Sequence, residues 1–170
     1  MDDYVSNKIL DSTTVFENIH PNEITIFGGI LNLFILDNLN NILQGAKPKY
    51  IDLGILLGLR WLADCLDGNV ARKYKKTSKI GNILDTISDI MLLAIAFYFI
   101  CVSMNISMVF YFIFMIMVVV VATWKYNIFE SHESIKSHDG IVGNALSFLV
   151  ANSIIQFGVF FYIVMYFAKK

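Results

Sequence analysis

Four carboxylates stand in two pairs in the stretch Asp64–Asp89, DCLDGNVARKYKKTSKIGNILDTISD. Asp64 and Asp67 are three residues apart, and Asp85 and Asp89 are four apart. Either spacing puts both members of a pair on one face of a helix. Apolar runs flank the stretch on both sides, which places the acids at or near membrane depth. A carboxylate there is costly unless something cationic neutralises it. Between the pairs sit Gly68, Ala71, Arg72 and Gly81. Small residues on helical faces let another group approach the backbone closely, and the planar fork of Arg72 suits phosphate. Four acids with that arginine point to a divalent-metal site handling a phosphorylated substrate. Taken alone, the same acids also fit an ion path, or a structural ion-pair network with Arg60 and Arg72.

The elements that must position these residues are helices in a membrane. The chain has 170 residues, enough for one domain spanning 1–170. It is 56% hydrophobic with a mean hydropathy of +0.62, too apolar for a soluble domain of this size. The expected architecture is all-α: a polytopic bundle of about five transmembrane helices, preceded by a short interfacial helix or a partly ordered tail within residues 1–20. No cleavable signal peptide is expected in that polar, acidic start. A formal net charge of -1 argues against nucleic acid as a partner. Cys65 and Cys101 have no zinc-like spacing, and a disulfide between them is not expected.

Taken in order, Pro21 and Asn22 with Glu23 make a helix start, and the first span runs from about Ile24 to Leu43. A turn at Gln44–Lys49 leads to a second helix from Tyr50 to about Tyr74, in which Gly54 and Gly58 form a small-residue face for close packing. Arg60 lies one turn before Asp64 on the same face, placed to pair with it. Lys73, Lys75, Lys76 and Lys79 make the next connection basic, so it belongs on the cytoplasmic side and suits anionic headgroups. A third helix runs from Lys79 to about Val102, and a fourth from about Ile106 to Trp124. Residues 125–140 form a polar stretch, and the last helix spans about Ile141 to Ala168.

Asp64-x2-Asp67-Gly68-x2-Ala71-Arg72-x8-Gly81-x3-Asp85-x3-Asp89 resembles, at all eight fixed positions, the signature of the CDP-alcohol phosphotransferase family. Even a common residue such as glycine has a frequency of only about 7%, so eight matches at fixed spacing are a specific signal. The Pro21-Asn22-x-Ile24-Thr25 entry of the first helix also resembles that of several members, where it either touches the nucleotide or only caps the helix. The resemblance implies a CDP-alcohol donor, commonly CDP-diacylglycerol, whose β-phosphorus is attacked by an acceptor hydroxyl with release of CMP. It implies Asp64, Asp67 and Asp85 as metal ligands and Asp89 as the general base. It gives Gly68, Ala71 and Gly81 to the cytidine and Arg72 to a phosphate. Two divalent ions, Mg²⁺ or Mn²⁺, suit hard carboxylate ligands and clamp an attacked phosphoryl group.

The resemblance further implies membrane lipid as surroundings and a small hydroxyl compound as acceptor, and a homodimer is compatible with it. The site would open to the cytoplasm and sideways to lipid. Beyond the signature, only Lys125, Lys136 and histidines are basic on that side, which favours an unphosphorylated acceptor. Family members usually have six membrane helices, against five counted here. Two other classes stay open: a non-catalytic member that binds nucleotide-lipid or metal, and a membrane metal-ion carrier.

Overall fold

The computed structural model describes residues 2–47 and 49–131, together with Gly158 and Met165. Within them the chain is helical: α1 (Asp2–Ser12), a 3-10 turn at Val15–Glu17, α2 (Pro21–Leu43), α3 (Tyr50–Lys73), α4 (Lys79–Ser103) and α5 (Met108–Ser131). There is no strand among the described residues. α2 and α4 are long and apolar enough to cross a membrane; α3, of similar length, carries Arg60, Asp64 and Asp67 within its inner turns. The last helix expected at Ile141–Ala168 lies outside the described residues, apart from Gly158 and Met165.

The chain divides into two compact units, Met1–Ile95 and Ala96–Lys170, with the boundary inside α4. In the first, α2 packs along α3 and α1 packs on the cytidine-signature end of α3. Leu10 of α1, Ile24 of α2, and Ala63, Leu66 and Val70 of α3 form one buried cluster, with Ile9, Phe16, Ile19, Leu62 and Tyr74 packed against it. A buried leucine of this kind contributes about 1.5–3 kcal/mol. Residues 1–20 are thus a docked helix and turn rather than a tail. Polar ties add to the apolar contact: Lys73 Nζ donates to the Leu10 carbonyl at 3.1 Å and pairs with Asp11 at 2.6 Å. Lys76 Nζ donates to the Glu17 and Ile19 carbonyls at 2.6 and 3.2 Å. Part of the basic connection therefore holds the N-terminal segment.

α2 starts as its sequence dictates. His20 is the N-cap, its Nδ1 accepting from Asn22 N–H at 3.2 Å, while Glu23 accepts from His20 N–H at 3.4 Å. Pro21 fills the first turn, where its missing N–H costs nothing. The α2–α3 reversal places Gly45 at φ 87, a left-handed conformation that glycine adopts without penalty. The small-residue face of α3 is not a packing seam within the described residues: nothing lies within 4 Å of a β-carbon built on Gly54 or Gly58. α3 turns Leu53, Leu57 and Arg60 inward instead.

In the second unit, Phe97 meets Phe114 with ring centroids 4.1 Å apart, and Tyr111 sits 6.2 Å from Phe97 and 6.1 Å from Tyr98. These ring contacts set the last turns of α4 against α5. α5 continues to Ser131, beyond the end expected at Trp124. Lys125–Ser131 contains no glycine or proline to stop a helix.

Candidate active site

α3 and α4 bring three of the four acids together. One carboxylate oxygen from each of Asp64, Asp85 and Asp89 lies within 4.8 Å of the other two. Arg60 sits among them, only 3% exposed. Its Nη1 is 2.9 Å from Asp64 Oδ1, the expected pair one turn apart on α3. Its Nη2 is 2.8 Å from Asp89 Oδ1, a bridge to α4 that helical spacing alone does not reveal. Gly28 of α2 closes over this arginine: a β-carbon built there would stand 3.5 Å from Arg60 Cδ.

Asp67 is held differently. It is 6% exposed, and its oxygens accept from Thr25 Oγ1 at 2.6 Å and from Gly68 N–H at 2.6 Å. Thr25 belongs to the entry segment of α2, so α2 supplies a direct partner to the acids. Asp67 and Asp85 line one cleft, with Gly68 and Ala71 on its α3 wall and Gly81 on its α4 wall. Pro21, Asn22 and Thr25 form the α2 wall. Asn22 comes closest to Gly81: its Oδ1 would lie 2.9 Å from a β-carbon there, and Ser78 Oγ 3.0 Å. Glycine at 81 is what admits that amide and hydroxyl.

Arg72 folds back along α3. Its Nη2 donates to Asn69 Oδ1 at 2.7 Å, and a β-carbon on Gly68 would stand 3.6 Å from its Nη1. Seven of the eight signature residues therefore gather around the acid cluster and the cleft, sharing Asp85, and Arg72 lies against Gly68 at the cleft's edge. Asn69 and Ser6 were not legible as site neighbours, since nothing in the spacing joins residues 63 positions apart.

The family model described as CDP-alcohol phosphatidyltransferase matches residues 18–169. The chain belongs to the CDP-alcohol phosphatidyltransferase family. Comparisons with curated proteins and with solved structures give no match. Membership makes the chain a transferase of phospholipid biosynthesis that moves a phospho-alcohol group from a CDP-alcohol to a hydroxyl acceptor. Its apolar helices agree with membrane association. The donor set agrees with the family's divalent-metal dependence: clustered carboxylate oxygens are hard ligands, suited to Mg²⁺ or Mn²⁺ rather than to a soft ion.

Proposed function

We propose that the chain transfers a phosphatidyl group from CDP-diacylglycerol to a small, unphosphorylated hydroxyl acceptor, releasing CMP. The observation that carries this reading is the convergence of Asp64, Asp85 and Asp89 beside a cleft walled by Gly68, Ala71 and Gly81. A lipid-linked donor fits the outer face of α2, where Ile26, Phe27, Ile30, Leu33 and Phe34 are exposed alongside the helix that walls the cleft.

In this reading Asp64, Asp67 and Asp85 hold two divalent ions. When bound, these neutralise the pyrophosphate and the leaving oxygen. Gly68, Ala71 and Gly81 give the cytidine access to helix backbone, and Arg72 holds a phosphate through its planar fork. Asp89 accepts the proton of the acceptor hydroxyl. The hydroxyl oxygen forms a bond to the β-phosphorus as the bond from that phosphorus to the bridging oxygen breaks, and CMP leaves with the bridging oxygen. A carboxylate has two oxygens, so Asp89 can keep one on Arg60, which holds its orientation, while the other receives the proton. A second assignment is favoured by the same cluster: because Asp89 stands with Asp64 and Asp85, it could serve as a metal ligand.

Five spanning helices with α1 at the interface would place the basic α3–α4 connection, and the cleft beside it, at the cytoplasmic face. The test is a panel assay on purified protein with Mg²⁺ or Mn²⁺, radiolabelled CDP-diacylglycerol and candidate acceptors in turn. CMP release that needs both an acceptor and a divalent ion is the expected result. Metal flux across vesicles with no CMP release would instead mark a carrier.

A further inference from the structure

Asn69 occupies one of the open positions of the signature, yet it is buried at 7% exposure and every part of its amide is engaged. Its Nδ2 donates to the Cys65 carbonyl at 2.9 Å and to Ser6 Oγ, and its Oδ1 accepts from Arg72 Nη2 at 2.7 Å. An amide has two N–H donors and one carbonyl oxygen. With a helix carbonyl and a serine hydroxyl taking the N–H groups, the oxygen is turned to Arg72. The hydroxyl that completes this arrangement comes from α1, and Ser6 is fully buried. α1 is itself fixed to α3 by Leu10 in the core cluster and by the Lys73 contacts to Leu10 and Asp11. At the other end of the relay, the Arg72 guanidinium lies over Gly68, a wall residue of the cleft.

We propose that Asn69 is a positioning residue for Arg72, and that the N-terminal helix, through Ser6, sets the affinity of the site for the donor's diphosphate. This rests on the reading that Arg72 holds a donor phosphate. The relay fixes one edge of the guanidinium and so reduces the freedom the fork loses when it takes up an anion. Asn69 touches no substrate in this arrangement; it acts through Arg72.

The test uses the full chain in detergent, CDP as a soluble probe, and Mg²⁺. CDP affinity is measured by calorimetry for the parent, Asn69→Leu, Ser6→Ala and the double variant, with Mn²⁺ affinity measured alongside. Asn69→Leu is expected to weaken CDP about tenfold, as loss of a hydrogen bond to a charged group implies. Ser6→Ala is expected to weaken it about threefold, the smaller effect of an indirect neutral bond. The double variant should be no weaker than Asn69→Leu, because the serine acts only through the asparagine. Mn²⁺ affinity should stay at the parent's value in all three. Single variants that bind CDP like the parent would overturn the proposal, as would a Ser6→Ala effect that persists in full beside Asn69→Leu. Should Asn69→Leu fail to fold, Ser6→Ala alone decides: parent-like CDP affinity overturns the relay. CMP release by the parent is scored separately. A parent that binds CDP but transfers to no acceptor removes the transferase reading and leaves the relay standing; a parent that binds no CDP removes both.

Discussion

Replacing Arg60 with methionine keeps an unbranched chain of similar reach and deletes the charge that bridges Asp64 and Asp89. In the parent the two contacts are 2.9 and 2.8 Å, and the arginine side chain is 3% exposed. Removing one partner from a buried ion pair typically costs 3–5 kcal/mol, because the remaining charge is left without its counter-ion. The two carboxylates are 21% and 22% exposed, so water screens them in part and the low end, ~3 kcal/mol, applies. At roughly 2–4 °C per kcal/mol for a chain of this length, the midpoint should fall by about 6–12 °C. The assay is thermal denaturation in detergent, first with a chelator and then with saturating Mg²⁺. With the chelator the full loss is expected. With Mg²⁺ the gap should narrow, because the cation neutralises the same carboxylates, and without a neighbouring guanidinium it binds more tightly. An ion that binds only the folded chain stabilises it by about 2.7 kcal/mol at 100 times its Kd. A chelated variant that melts with the parent would refute the idea that this bridge stabilises the fold. Equal Mg²⁺ responses in both proteins would refute the idea that Arg60 and the cation serve the same acids.

Gly81→Ala should cost about 1 kcal/mol and weaken CDP binding, because its β-carbon would meet Asn22 Oδ1 at 2.9 Å and the amide must swing from the cleft. Adding Asn22→Ala should recover most of the thermal stability but not the affinity, a non-additive pair readable by denaturation and calorimetry. Asp89→Asn is expected to lose 10²–10⁴-fold in turnover, about the range for a general base, with metal affinity retained. Asp67→Asn is expected to lose metal affinity, and Mn²⁺ titration of the two variants side by side separates base from ligand. If Asp89→Asn weakens Mn²⁺ as strongly as Asp67→Asn does, Asp89 belongs with the ligands.

Helix limits were legible because each boundary has a local cause. Pro21 and the His20–Glu23 box start α2, and the turn at Gly45 ends it. The expected ends of the next two helices, Tyr74 and Val102, each fall within one residue of the observed Lys73 and Ser103. The Arg60–Asp64 pair was legible for the same reason, being one helical turn apart. Contacts between helices were not, because spacing along one helix says nothing of where a neighbour crosses it. Arg60 to Asp89 spans 29 positions, Thr25 to Asp67 spans 42, and Ser6 to Asn69 spans 63. The docking of α1 was hidden by composition: its mean polarity masks a single buried leucine and a buried serine. The small-residue face at Gly54 and Gly58 misled in the other direction, since a motif that permits close approach does not supply a partner.

The four acids look equivalent in the sequence, but the fold sorts them by what holds each one. Asp64 and Asp89 share a guanidinium, so each meets a full positive charge at hydrogen-bond distance. Asp67 is more buried than either, and the donors named at its oxygens, a threonine hydroxyl and a backbone N–H, are neutral. Neutral donors orient a carboxylate and satisfy its lone pairs, but they do not cancel its charge, and burying an uncancelled charge is costly. The fold thus accepts a penalty at Asp67 that it avoids at Asp64 and Asp89. Thr25 and the Gly68 N–H aim that carboxylate at the cleft, where a divalent cation would relieve the penalty most. Metal loading and folding of the first unit are then linked through Asp67, while Asp89, already matched by Arg60, is the acid that can stay outside the ligand set and exchange a proton.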